Sequence, residues 1–247
     1  MEQEKILEVA VNTGTNLLIC GAETYRVEDT IDRICKSYGL ECEVFALPTV
    51  IVVSVKGEKG TSTICKRIPS RTVDLNKISL LNSLSRNIEK STPSYDDITG
   101  ELERISYCKK FSDSNIIFSY SLAAFIYVIL FGGNLRDAAV AIPAGILLGL
   151  LRLTFSRGSN FPFIEYFVGG LVAGLYSSIV AVFIPQTNPY IIIIGAVINM
   201  VPGIALTNGI RDLLHGDSVS GLTRLGEALM TVTVIAAGTG VGLSLWL

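Results

Sequence analysis

The stretch Tyr190-Ile-Ile-Ile-Ile-Gly-Ala-Val-Ile-Asn-Met-Val-Pro-Gly-Ile-Ala-Leu-Thr-Asn-Gly-Ile-Arg-Asp212 decides how the rest of the chain is read. A bilayer core of about 30 Å takes roughly 20 mostly apolar residues of helix, and Tyr190–Ile210 supplies that length. Pro202 inside it removes a backbone donor and frees a carbonyl, so Asn199-Met-Val-Pro-Gly203 reads as a broken span. Past the break, Asn208, Arg211 and Asp212 recur at i, i+3 and i+4 and share one helix face.

Four further stretches match the span template. They are residues 115–133, 138–155 (short, with Pro143 inside), 163–184 and 225–247. Composition agrees: 49% of the chain is hydrophobic, 17% is charged and the mean hydropathy is +0.51. Only five of the 20 Lys+Arg and five of the 22 Asp+Glu lie beyond Ser114. Packing five such helices inside a soluble protein would leave almost no polar surface to cover them. The fold class expected is therefore an α-helical membrane protein, five transmembrane helices (residues 113–247) preceded by a small cytoplasmic α+β domain (residues 1–112).

The loops orient the spans. With the polar segment inside, the inner loops hold Arg152 and Arg157, then Arg211 and Arg224, while the outer ones hold only Arg136. The positive-inside bias predicts a cytoplasmic N-terminus, an outside C-terminus, and Trp246 in the outer aromatic belt. Neither half carries a surplus of cations, so nucleic acid is excluded as a partner.

Polar groups inside a span are costly and usually face a cavity or one another. Arg224, Glu227, Thr231, Gly238 and Gly242 fall on one face of the fifth span, while Gly170 and Gly174 in the third have small-xxx-small spacing. Arg152, Arg157 and Arg224 either snorkel to headgroups or touch a cargo, and both readings stay open. Glu165 is expected at the interface, solvated. Arg136-Asp137 reads as a helix start, and Asp217 with Ser218 and Ser220 as the cap of the fifth helix. Pro143 precedes Arg152 by the same nine residues that separate Pro202 from Arg211, which raises an internal repeat of helix pairs. Broken helices at the midplane are where transporters build binding sites. The functional candidates are therefore Asn199, Asn208, Arg211, Asp212 and Glu227.

The polar segment reads as helix, helix, three strands, helix, helix (ααβββαα). The strands are centred on residues 40–47, 49–56 and 61–68, the second rich in β-branched residues. Its five cysteines form no C-x-x-C pair, and the single histidine, His215, rules out a His-cluster zinc site. No cofactor or metal is expected. Glu23, Tyr25, Arg26, Glu28 and Asp29 cluster after a Gly-Ala break with no nucleophile–base pair among them. The bland reading is acidic residues favourably placed in a first helical turn.

Gly21-Ala-Glu-Thr-Tyr-Arg-Val-Glu-Asp-Thr30, and Val201-Pro-Gly-Ile-Ala-Leu-Thr-Asn-Gly-Ile-Arg-Asp212 continuing to Gly221-Leu-Thr-Arg-Leu-Gly-Glu-Ala228, carry a resemblance. Together with the order of polar segment and then spans, the chain resembles the threonine/serine exporter family, closest to the amino-terminal component of its two-chain, succinate exporter-like form. The resemblance implies an inner-membrane exporter of small carboxylates or hydroxy amino acids. It also implies a small all-membrane partner subunit, and hence an oligomer. A carboxylate in a low-dielectric cavity needs a fixed cation, and Arg211 offers a bidentate fork. Asn199, Asn208, Asp212 and Arg224 join it as substrate-binding candidates, and Glu227 or Asp212 as carrier of a coupling proton. No G-x-x-x-x-G-K-[ST] motif is present, so an ion gradient is the simpler energy source. Two other readings stay open: a membrane-bound enzyme working through Glu23, Glu28 and Asp29, and a non-transporting scaffold.

Overall fold

Short polar side chains set the helix starts. Asp74 accepts the Lys77 amide, Ser94 and Asp97 form a reciprocal capping box, and Asn134 does the same with Asp137. The computed structural model describes residues 2–57, 60–108, 111–158 and 162–245. Its elements run α1 (Gln3–Ile19), α2 (Thr24–Ser37), β1 (Cys42–Leu47), β2 (Val50–Gly57), β3 (Gly60–Arg67), α3 (Leu75–Ser91) and α4 (Tyr95–Ser106). There follow α5 (Asp113–Leu130), α6 (Leu135–Gly158), α7 (Pro162–Phe183), α8 (Pro189–Val197), a 3-10 turn at Ile198–Met200, α9 (Gly203–Leu214) and α10 (Ser218–Ser244). The chain divides into two compact units, one of Met1–Lys109 with Gly203–Glu227, the other of Lys110–Pro202 with Ala228–Leu247.

The first unit holds the element order expected of the polar segment. Its antiparallel sheet has the order β1-β2-β3, with Val44 opposite Val53 and Val53 opposite Ile64. Alternation puts Ala46, Ile51, Val53 and Val55 into a core with Leu7, Leu17, Ile31, Ile34, Leu81 and Ile88. Gly14 lets α1 close on α2, since a Cβ there would lie 2.4 Å from Ile31 Cδ1. In the same unit α9 crosses the start of α10 at two glycines, where a Cβ on Gly221 would sit 2.7 Å from the Gly209 carbonyl oxygen.

The second unit is built from apolar helices. Gly145 brings α6 against α5, 2.7 Å being the gap its Cβ would leave to Ser121 Cα. Gly170 and Gly174 of α7 face Ile235, Thr239 and Gly242 of α10, and Gly238 and Gly242 face the Phe167 and Leu171 carbonyls. That is close backbone packing of the small-residue kind. Large apolar side chains such as Leu130, Phe183 and Leu229 stay exposed on these helices, as they do where lipid is the solvent. Among the described residues, four helices are long and apolar enough to cross a membrane, or up to five if Pro189–Met200 with Gly203–Leu214 counts as one broken span.

Several expectations need adjusting. The second candidate span is not short: α6 runs 24 residues straight through Pro143, because the Asn134–Asp137 box starts it early. The fifth helix begins at Ser218, where the Asp217 cap put its start, and so runs a turn and more ahead of the apolar stretch from Leu225; its first turn is closed by the Gly221 amide on the Asp217 carbonyl. Glu165 is not solvated; it is 7% exposed and paired with Arg152. The shared Pro-to-Arg spacing does not give shared local structure, since Pro143 sits inside a helix and Pro202 at a break. Trp246 and the side chain of Arg157 lie outside the described residues.

The glycine seam yields a test. Gly242→Val should drive its side chain into the Leu171 carbonyl, 2.4 Å from the Cβ position, and destabilise by about 1–3 kcal/mol. Gly240→Val, with open space at its Cβ, should leave the melting temperature in detergent nearly unchanged.

Candidate functional site

Glu23 is the N-cap of α2, yet its side chain makes no capping bond. The first-turn donors of a helix need acceptors, and here they come from α9, nearly two hundred residues away. Asp212 takes the Thr24 amide at 2.9 Å and the Thr24 hydroxyl at 3.2 Å. A carboxylate at this end also meets the positive pole of the helix.

The neighbouring residues are held one after another. The Asn208 amide donates to the Gly21 carbonyl at 2.9 Å and Arg224 Nη2 to the Ala22 carbonyl at 2.6 Å. Arg211 Nη1 reaches Glu23 Oε1 at 2.6 Å, while Arg26 Nε takes the other carboxylate oxygen at 2.8 Å. Tyr25 stacks on His215 with centroids 3.9 Å apart and planes within 3° of parallel. Five consecutive residues, Gly21 to Tyr25, are thus clasped by α9, α10 and the turn between them. The chain reaches this path through Gly21, whose φ of +87° suits glycine. A Cβ there would also lie 2.8 Å from the Thr72 carbonyl oxygen.

The clasp is dry. Asp212 is 0% exposed and Arg224 4%, with Arg224 Nε 3.0 Å from Asp212 Oδ2 at ion-pair distance but without hydrogen-bond alignment. Charges buried this deeply persist only when paired and hydrogen-bonded. Glu23 is also buried, which pushes its carboxyl pKa up. Its own backbone amide, Arg211 and Arg26 outweigh that, so the net shift is downward. Glu28 goes the other way: burial raises it, the Ala46 amide bonded to it at 2.8 Å lowers it, and Asp217 and Asp212 raise it further. Arg211 differs from Asp212, Arg224 and Asn208 in that its side chain is 51% exposed. Among the described residues its ion pair, with Glu23, uses a single terminal nitrogen, which leaves most of the fork open.

The residues singled out in the sequence divide in two. Asn208, Arg211, Asp212 and Arg224 come together with Glu23, Tyr25 and Arg26. Glu227 lies at the edge, half-exposed, with its carboxylate 2.5 Å from Arg71. Asp29 points away and pairs with Arg33 along α2. Asn199, exposed in the 3-10 turn, belongs to the other unit. Sequence reasoning missed Thr24, His215, Arg71 and the Gly21 and Ala22 carbonyls. Backbone acceptors leave no compositional trace, and Thr24 looked like one more hydroxyl in a first turn. No group of three or more His, Cys, Asp or Glu that could hold a metal occurs among the described residues.

Asp212→Asn should leave Arg224 buried without its counter-charge and cost about 3–5 kcal/mol. Hydrogen exchange at the Thr24 and Tyr25 amides should quicken more than elsewhere in α2. The depressed Glu23 pKa fixes a sign as well. Its contribution is complete above the ordinary glutamate value of about 4.3 and is lost only as pH falls through the lower folded value. Protection of the Thr24 amide, which Asp212 accepts, should therefore persist below a pH of about 4.3 and fall only as pH drops further, a step that Glu23→Gln should lack.

The sequence model of the threonine/serine exporter family matches residues 8–246. A Mycobacterium tuberculosis protein named "Probable threonine/serine exporter" is 22% identical over 251 residues, covering 98% of this chain and 46% of that one. A Klebsiella aerogenes protein named "Probable succinate transporter subunit YjjP" is 21% identical over 252 residues, covering 99% of this chain and 95% of that one. An uncharacterised protein of Schizosaccharomyces pombe is 23% identical over 252 residues, covering 98% of this chain and 30% of that one. The chain thus spans less than half the length of two of these relatives and nearly all of the third. No solved structure matches.

Proposed function

The chain belongs to the threonine/serine exporter family, and we propose that it is one subunit of a secondary transporter that exports a small carboxylate or hydroxy amino acid, succinate or threonine and serine being the first to test. The observation that carries the substrate class is Arg211. This guanidinium already holds a carboxylate, that of Glu23, through one nitrogen, and most of the rest is open. A substrate carboxylate binds the open edge of the fork or takes the place of Glu23 on it. Asn208, Asp212 and Arg224, all buried, hold the backbone of the clasp and so set where Arg211 stands. Asn199, at the break in the fourth span, offers an amide to the same substrate on its way through.

Coupling to an ion gradient is part of the proposal. Glu227, half-exposed beside Arg71, can take a proton from water directly. Asp212, buried in the clasp, is the second candidate carrier. The proposed setting is the inner membrane, with the polar segment (residues 1–112) and the N-terminus in the cytoplasm and five spans ending outside. The name of the Klebsiella relative, a transporter subunit, supports a second component. A short all-membrane protein of the same family fits that role.

The test is export of radiolabelled succinate, threonine or serine from vesicles holding the chain, with and without a short family member. Flux of at least one is expected with both present, and no flux of any would sink the reading. Arg211→Ala should abolish flux while membrane insertion is kept. Glu23→Gln, which weakens the competing internal carboxylate, should lower KM rather than raise it.

A further inference from the structure

Away from the clasp, one charged pair, half of it buried, joins two helices of the second unit. Arg152 of α6 donates from Nη1 to both oxygens of Glu165 of α7, at 2.9 and 2.8 Å. The two sides of the pair are unequal: the Glu165 side chain is 9% exposed and that of Arg152 48%. Arginine–carboxylate staples are frequently bidentate, with two nitrogens on the two oxygens, fork to fork. Here one nitrogen does the holding, and the rest of the guanidinium has no hydrogen-bond or ion-pair partner among the described residues.

The surroundings point the same way. Tyr120 of α5 and Tyr166 of α7 lie within electrostatic range of both charges and bring phenol groups that can donate to an anion. Tyr120, Leu151 and Tyr166 also pack against the buried cluster that includes Met200, the last residue of the 3-10 turn. Met200 enters because Gly169 has no side chain; a Cβ there would lie 2.3 Å from Met200 Cε and 3.6 Å from Leu151 Cδ2. Arg152 is the residue after Leu151, and Glu165 is one helical turn before Gly169. The pair therefore joins α6 to α7 one helical turn from the Gly169 notch that seats Met200, the last residue of the 3-10 turn in the fourth span. Charged groups among apolar spans are functional candidates by default, and broken helices mark substrate paths.

We propose that Arg152 is a second carboxylate-binding site, distinct from Arg211, for the small molecule that the chain exports, with Glu165 as the residue that positions it. The proposal rests on the exporter reading above. Glu165 fixes the guanidinium plane and offsets its charge while the site is empty. The substrate carboxylate then takes the free edge, with Tyr120 and Tyr166 beside it. A phosphate of a lipid headgroup has the same chemistry, and the experiment separates the two sources.

The experiment is equilibrium binding of radiolabelled succinate and of L-threonine to the full chain in nanodiscs of phosphatidylcholine, alone and with added phosphatidylglycerol. Arg152→Lys keeps the charge and loses the fork, so Kd for the bound probe should rise at least about 10-fold, the loss expected for one charge-assisted hydrogen bond. Glu165→Gln should raise it less. The charge-swapped double variant (R152E with E165R) should regain the wild-type melting temperature but not the binding. Wild-type binding by Arg152→Lys, or recovery of binding in the swap, would show a staple and overturn the proposal. So would a wild type that binds neither probe, or one whose Arg152-dependent stabilisation comes from phosphatidylglycerol alone. Vesicle flux is read separately: Arg152-dependent binding without flux leaves this site standing and removes the exporter reading.

Discussion

A carboxylate fully removed from water, Asp212, is the constraint on which the first unit depends. Burying it costs several kcal/mol unless it is compensated, and the compensation comes from two directions. Thr24 supplies an amide and a hydroxyl at the positive end of α2, and Arg224 supplies the counter-charge. Each supplier imposes a further condition. The α2 start must arrive end-on, which the left-handed turn at Gly21 permits. Arg224 must stand opposite Asp212, which requires α9 and α10 to cross closely, and Gly209 against Gly221 permits that. The Asn208 and Arg211 contacts then follow with little freedom left, because they share a face with Asp212.

This explains why two stretches far apart in the chain carried the resemblance to the exporter family. They are the two sides of one contact. A motif such as Gly-Ala-Glu-Thr-Tyr looks unremarkable as an isolated helix start, because its chemistry is only half present. Glu23 needs Arg211, and the bare carbonyls of Gly21 and Ala22 need an amide and a guanidinium.

Local pattern was enough for much of the rest. Long apolar runs gave the spans, β-branched alternation gave the three strands, and Pro202 gave the break. Spacing put Asn208, Arg211 and Asp212 on one face. What local pattern does not report is the partner across 188 residues, and that is where the reading fell short. Glu165 shows the same gap on a smaller scale. A glutamate near a span end suggests solvent, but α6 turns Arg152 onto it and closes it off.

The two Pro-to-Arg segments show how tertiary contacts choose between outcomes that sequence leaves equal. Both end on an arginine held by a glutamate, Glu165 in one case and Glu23 in the other. Yet α6 passes through Pro143 unbroken, while at Pro202 the helix tightens to a 3-10 turn, Val201 becomes extended with ψ of 129°, and α9 starts afresh. Proline disfavours the helical conformation for the residue before it in both places, so proline alone does not decide. What differs is the neighbourhood. Gly145, two residues past Pro143, seats α6 tightly on α5 and rewards a continuous helix. Two residues before Pro202, Met200 inserts over Gly169, and Gly203 has open space where its Cβ would be. The break is therefore held by a side chain plugged into a glycine notch, one helical turn from the Arg152–Glu165 pair. Any motion that withdraws Met200 has to disturb the ground on which that pair stands.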